Sequence, residues 1–152
     1  MFLDVDGVLN NDIFLDTVSH PDDMTEWWIN RINPQSVIIL NDITDAINAE
    51  IVISSSWRVS MSNEKLIEVF KRAGIKAKII GHTPYLRELR GIEIKKWMES
   101  HPNIELVVIL DDVDDMGTLS KFLVKTDPNI GLTQSHLNYI LSNIYKFQID
   151  KF

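Results

Sequence analysis

The sequence predicts an α/β domain with a parallel sheet carrying helices on both faces. Short apolar runs alternate along the chain with longer segments whose apolar residues recur at helical spacing. The runs Ile51-Val52-Ile53 and Leu106-Val107-Val108-Ile109-Leu110 are continuous rather than alternating, as strands buried on both faces require. A chain of 152 residues suits one domain with a sizeable core.

Each element has a local reason. Phe2 to Val5 begin a first strand. Residues 10–24 read as a loop, at whose end Asp22 or Asp23 caps a helix running to about Ile32. Pro34 suits a first helical turn, and Val37, Leu40, Ile43 and Ile47 follow at helical spacing. The run Val37 to Leu40 alone fits a strand equally well. Residues 51–54 form the second strand, ending in hydroxyls. Ser62 caps a helix carrying Leu66, Ile67, Val69 and Phe70, which Gly74 closes. A weaker strand covers residues 77–80, and a helix covers 91–100 with Ile94, Trp97 and Met98 inward. The clearest strand, 106–110, is followed by another at 122–124. Thr133 caps a last helix with Leu137, Ile140, Leu141 and Ile144 on its core stripe.

Composition removes several function classes. With no cysteine there is no disulfide scaffold, thiolate zinc site, iron–sulfur cluster or thiol nucleophile. No apolar run approaches a membrane span, and the first residues lack the pattern of a secretory signal. A cytoplasmic protein without membrane contact is expected, as a monomer or weak dimer. The net charge of −7 argues against a general nucleic-acid coat. That charge is uneven: −9 over residues 1–50, +5 over 51–100 and −3 over 101–152. Most of these charges belong to solvated helix faces. An acidic first third would still suit a divalent cation, and a basic middle an anionic ligand.

In a parallel sheet, ligands bind beyond the carboxyl ends of the strands. That rule selects Asp4 and Asp6, Ser54 to Ser56, and Asp111 with Asp112. Asp4 and Asp6 flank one strand end, and Gly7 lets the chain turn away. Carboxylates this close repel unless a cation, a proton or hydrogen bonds compensate. Adjacent strands lie about 5 Å apart, so Asp111 and Asp112 can share an ion with them. Hard oxygen ligands without imidazole or thiolate favour Mg²⁺, which commonly shares its shell with phosphate. Serine hydroxyls and a cation from Arg58, Arg87, Arg90, Lys95 or Lys96 would complete a phosphate site.

Asp4-Val5-Asp6-Gly7-Val8-Leu9, a hydroxyl-ended strand, a downstream Arg or Lys, and Leu110-Asp111-Asp112 resemble the four ordered motifs of the haloacid dehalogenase-like (HAD) superfamily. The stretches Ser54 to Arg58 and Arg90 to Ile94 are similar to HAD domains linked to RNA-repair proteins. The resemblance implies a Rossmann-like three-layer αβα sandwich, one capless domain over residues 1–152 with at most a flap at 10–32. It implies Asp4 as nucleophile and Mg²⁺ ligand. Asp6 becomes the general acid/base, its carbonyl also facing the metal. Ser55 binds the phosphoryl group, with Ser54 and Ser56 as alternatives. Arg90 steadies phosphate and nucleophile where the family more often has lysine, with Arg87 and Lys95 as alternatives. Asp111 and Asp112 complete the metal site.

The activity so implied is a Mg²⁺-dependent phosphohydrolase working through an aspartyl-phosphate. The expected substrate is a nucleic-acid or nucleotide phosphomonoester such as a 3′-phosphate end. A small-metabolite or protein phosphatase on the same fold, and a non-catalytic phospho-ligand module, are the alternatives. Asp114 and Asp115 read as helix caps, and His20, His82, His101 and His136 as surface or loop residues without metal-ligand spacing. Trp27 and Trp28 cannot share one helix face, so one is expected partly exposed, in packing or on a nucleobase.

Overall fold

The computed structural model describes residues 1–149. Five parallel strands stand in the order β3-β2-β1-β4-β5: β1 (Phe2–Leu3), β2 (Ile51–Ile53), β3 (Ile79–His82), β4 (Ile109–Asp111) and β5 (Leu123–Lys125). Phe2 pairs with Val52 on one side and Ile109 on the other, which makes β1 the centre of the sheet. Both its residues are buried, as a strand covered on two faces demands. The helices are α1 (Asp12–Leu15), α2 (Met24–Asn30), α3 (Pro34–Ile47), α4 (Trp57–Ser60), α5 (Asn63–Arg72), α6 (Arg90–Glu99) and α7 (Gln134–Ser142). Right-handed crossovers place α3 and α5, which carry the chain from β1 to β2 to β3, on one face, and α6, which returns it to β4, on the other. Helix α7 packs on α3, and α6 on a 3₁₀ turn at Gly117–Phe122. The result is the three-layer αβα sandwich expected.

Capping explains most helix starts. Asn11, Asp23, Asn33 and Ser62 each accept a first-turn N–H, from Phe14, Glu26, Gln35 and Lys65 respectively. Pro34 occupies the first turn of α3, and Val37 to Leu40 are helical. His136 accepts the Thr133 N–H at 2.9 Å and so completes a capping box at the start of α7.

Several boundaries depart from the sequence reading. Residues 10–24 contain α1, because Asn11 supplies a cap, and α2 stops at Asn30 rather than Ile32. β1 is shorter than residues 2–5, although Asp4 still donates to the Leu110 carbonyl at 3.0 Å. The third strand begins two residues later than 77–80, at Ile79. β4 begins only at Ile109, because Leu106 and Val107 pair instead with Gln148 and Phe147. Helix α7 ends before Ile144, which starts a 3₁₀ turn, and Leu141 is exposed rather than on the core stripe. Trp97 and Met98 are half-buried against the core, while Ile94 is fully buried. Among the described residues no helix is long and apolar enough to cross a membrane.

Candidate active site

The loop after β1 is a tight turn. The Val5 carbonyl accepts the N–H groups of Val8, Leu9 and Asn10. Gly7 sits at φ +77°, and a Cβ there would lie 2.5 Å from Asp112 Oδ2. Glycine thus supplies both the left-handed backbone and the close approach of the turn to Asp112. The Gly7 carbonyl accepts from Thr126 Oγ1 at 2.7 Å, tying the turn to the chain beyond β5. Asp4 is buried, whereas Asp6 is exposed and gripped at both carboxylate oxygens. Asn10 Nδ2 donates to its Oδ1 at 2.9 Å, and Trp57 Nε1 to its Oδ2 at 3.1 Å.

β4 brings Asp111 beside Asp4. One carboxylate oxygen from each of Asp4, Asp111 and Asp112 lies within 4.8 Å of the others. Asp6 is outside this cluster through its carboxylate. Arg90 Nη1 stands 3.3 Å from Asp4 Oδ1 and 3.5 Å from Asp111 Oδ2. Burial raises the pKa of all three acids, and repulsion from a neighbouring acid adds to it: from Asp112 on Asp4, from Asp6 on Asp112, and from Asp4 on Asp111, which is pushed up to about 7. Arg90 lowers Asp4 and Asp111 in turn but does not cancel the effect. Burial works against the charge of Arg90 itself, but Asp4 and Asp111 outweigh it and hold the guanidinium above its ordinary value. The cluster therefore carries more negative charge than one arginine balances.

Arg90 reaches the cluster from the first turn of α6. Its N–H donates to Asp115 Oδ2 at 3.2 Å, so Asp115 caps this helix from another part of the chain. Gly91 next to it allows the helix end to abut the chain at Met116, where a Cβ would meet the carbonyl oxygen at 2.2 Å. The other cations suggested by the sequence go elsewhere. Arg87 and Lys95 are exposed and Lys96 pairs with Glu99. Arg58 is buried against Glu93 and donates to the carbonyls of Ser54, Ser55, Thr83 and Pro84. Burial draws Arg58 below its ordinary value while Glu93 opposes it.

The end of β2 supplies Ser54 and Ser55, both fully buried, while Ser56 is exposed. Ser55 Oγ accepts the Trp57 N–H at 3.2 Å, and the Ser55 side chain helps to lower the pKa of Asp4 against its burial. Ser54 meets the site by its backbone, whose carbonyl accepts from Arg58 and from Arg90. Its hydroxyl is buried and has no hydrogen-bond partner among the described residues. Asn10, Trp57 and Glu93 were not singled out from the sequence. Asn10 is the one with a local signal, a polar residue three after Gly7.

Trp57 also joins the site to α2. Its ring lies edge-on to Trp28, 4.6 Å between centroids, and Trp28 lies edge-on to Trp27 at 4.8 Å. Arg31 covers Trp27. Both tryptophans of α2 are half-buried. His20, His82 and His101 are exposed, and His136 is the half-buried exception. A concavity of about 1030 Å³ lies at the opposite end of the strands, lined by residues such as Met1, Ala49, Trp97 and His101, and contains none of the site residues.

The donor set fits a hard divalent cation. It is all oxygen, it is over-charged, and Asp111 Oδ2 is buried without a hydrogen bond. The family described as the HAD domain in Swiss Army Knife RNA repair proteins matches residues 1–137, and the chain belongs to it. No curated protein and no solved structure matched the chain.

Proposed function

We propose, from membership of this HAD family, that the chain is a Mg²⁺-dependent phosphatase acting through an aspartyl-phosphate on the phosphate end of a nucleic acid or nucleotide. The observation that carries the reading is the meeting of Asp4, Asp111, Asp112 and Arg90 at the strand ends, with Asp6 held beside them. Asp4, Asp111 and Asp112 would hold the cation. Mg²⁺ bound there offsets the negative charge that nucleophile and phosphate share.

An Asp4 carboxylate oxygen attacks phosphorus, forming a P–O bond as the bond to the leaving oxygen breaks. Asp6 gives its proton to that leaving oxygen. Asp6 then takes a proton from water, whose oxygen attacks the same phosphorus. The bond to Asp4 breaks, inorganic phosphate leaves, and the Asp4 carboxylate is restored. Arg90 and Ser55 orient the phosphoryl oxygens and steady Asp4. The two donors on Asp6 hold its carboxylate in one orientation.

The test measures phosphate release from an aryl phosphate with Mg²⁺ and with EDTA, for wild type and Asp4→Asn. Release that needs Mg²⁺ and vanishes in Asp4→Asn supports the mechanism. Wild-type activity in purified Asp4→Asn sinks it. A panel of 3′-phosphate oligonucleotides, 5′-phosphate oligonucleotides and nucleoside monophosphates then separates polymer ends from small esters.

A further inference from the structure

The loop between β3 and α6 borders the site and is built in an unusual way. Beneath it lies the buried Arg58–Glu93 pair, with both side chains 4% exposed. Arg58 donates to the carbonyls of Thr83 at 3.1 Å and Pro84 at 3.4 Å, and Glu93 Oε1 accepts the Leu86 N–H at 2.7 Å. A buried ion pair is weak evidence of stabilisation, but it fixes backbone geometry. Arg87 is also held at φ +58°, a region that residues with a Cβ enter reluctantly. The loop so pinned turns its large apolar side chains outward: Tyr85, Leu86 and Leu89 are 57%, 44% and 56% exposed. Folding gains nothing from that display, and a ligand would.

Charge and aromatic geometry select the ligand. Arg58 lies under the Tyr85 ring, 5.8 Å from guanidinium carbon to centroid, and the ring remains largely open to solvent. Arg87 forms no ion pair among the described residues. Arg90, one residue past the loop, contacts Asp4 and Asp111. Of the stretches 1–50, 51–100 and 101–152 only the middle one is net positive, at +5, and this loop is one of the two places where it meets the site. An aromatic ring backed by a cation, next to a free arginine, matches the stacking and phosphate contacts of single-stranded nucleic acid.

We propose that residues 84–89 seat a single-stranded nucleic-acid end, with the nucleobase next to the reacting phosphate stacked on Tyr85 and a neighbouring backbone phosphate on Arg87. The inference rests on the phosphatase reading of the same site and names the part of the substrate that the reading leaves open.

The test uses the full chain, a short single-stranded oligonucleotide bearing a terminal phosphate, and glycerol phosphate, an alkyl ester with no ring to stack. Tyr85→Ala raises KM for the oligonucleotide by about 5- to 100-fold, the scale of one lost base stack. It leaves glycerol phosphate turnover unchanged, and Tyr85→Trp restores the oligonucleotide KM. Arg87→Gln flattens the dependence of log affinity on log salt by about 0.7, the share of one single-strand phosphate. An unchanged oligonucleotide KM in Tyr85→Ala overturns the proposal, as does an equal loss on both substrates, which would mark a structural role. If wild type hydrolyses neither substrate, the phosphatase reading fails, and fluorescence anisotropy of a labelled oligonucleotide decides on the loop alone. Binding that Tyr85→Ala weakens upholds the seat, and absence of binding by wild type overturns it.

Discussion

Asp111→Asn should make the metal-free protein more stable, not less, at alkaline pH. Asp111 is fully buried, and burial followed by the nearby charge of Asp4 lifts its pKa from 3.8 to about 7. A folded-state pKa above the unfolded one means that full stability is present below about pH 4 and is lost as pH rises through about 7. At about 1.36 kcal/mol per pKa unit, the ionised group costs about 4 kcal/mol above that range. The attraction of Arg90 is already included in this balance. Asparagine keeps the shape and the Oδ1 acceptor that holds the Val113 N–H at 2.9 Å.

For a domain of this length, about 1 kcal/mol moves the melting temperature by ~2–4 °C, so the ceiling is on the order of 10 °C. The assay is thermal unfolding in EDTA from about pH 4 to pH 8.5, wild type against Asp111→Asn. The two curves should converge at the acid end and separate as pH rises, the variant melting higher. Mg²⁺ should then raise wild type alone, by about 2.7 kcal/mol at ~100 times its dissociation constant. A variant that melts lower than wild type at every pH in EDTA would refute the reasoning. It would mean that Asp111 serves as a structural partner of Arg90 rather than as a charge waiting for a cation.

Trp57→Phe keeps the ring between Trp28 and Phe70 but removes the N–H on Asp6. kcat should fall by at least roughly tenfold with KM unchanged, the scale of one hydrogen bond to a charged group. Glu93→Gln leaves Arg58 buried without its counter-charge, and urea denaturation should show a loss of about 3 kcal/mol or more. Burial lowers the His136 pKa from 6.5, so its contribution to stability is present above that value and is lost as pH falls. His136→Gln preserves an acceptor for the Thr133 N–H, and its melting temperature should fall less than that of wild type between about pH 7 and pH 5.

The sheet was legible because its strands are short, apolar and separated by helices with ordinary caps. What the sequence does not display is competition between partners. Leu106 and Val107 are as apolar as Ile109, yet they leave the parallel ladder because Gln148 and Phe147 offer another edge far along the chain. Leu141 fits the helical stripe by spacing, but the helix stops one residue later and its side chain faces solvent. Caps are readable only where the capping residue is adjacent. The first N–H of α6 is satisfied by Asp115, which follows it by 25 positions.

The site divides in the same manner. Asp4, Asp6 and Gly7 were readable because one turn fixes their relations, and Asp111 because it ends the strand beside theirs. Spacing alone does not separate Arg90 from Arg87 and Lys95, since any of them could start or ride the helix after β3, and the preference for Arg90 comes from the family resemblance. Packing decides among them. The left-handed backbone at Arg87 directs the chain into α6, Gly91 lets that helix end against the chain at Met116, and Asp115 holds it there. Arg90 is then the cation delivered to Asp4 and Asp111. The serine run divides for a related reason: two arginines use the Ser54 carbonyl, and the Ser55 side chain is the one that lowers the Asp4 pKa. The residues that position the acids thus lie after β2 and at α6, where the chain carries its positive charge, and their roles appear only once the sheet brings them to the acidic end of β1.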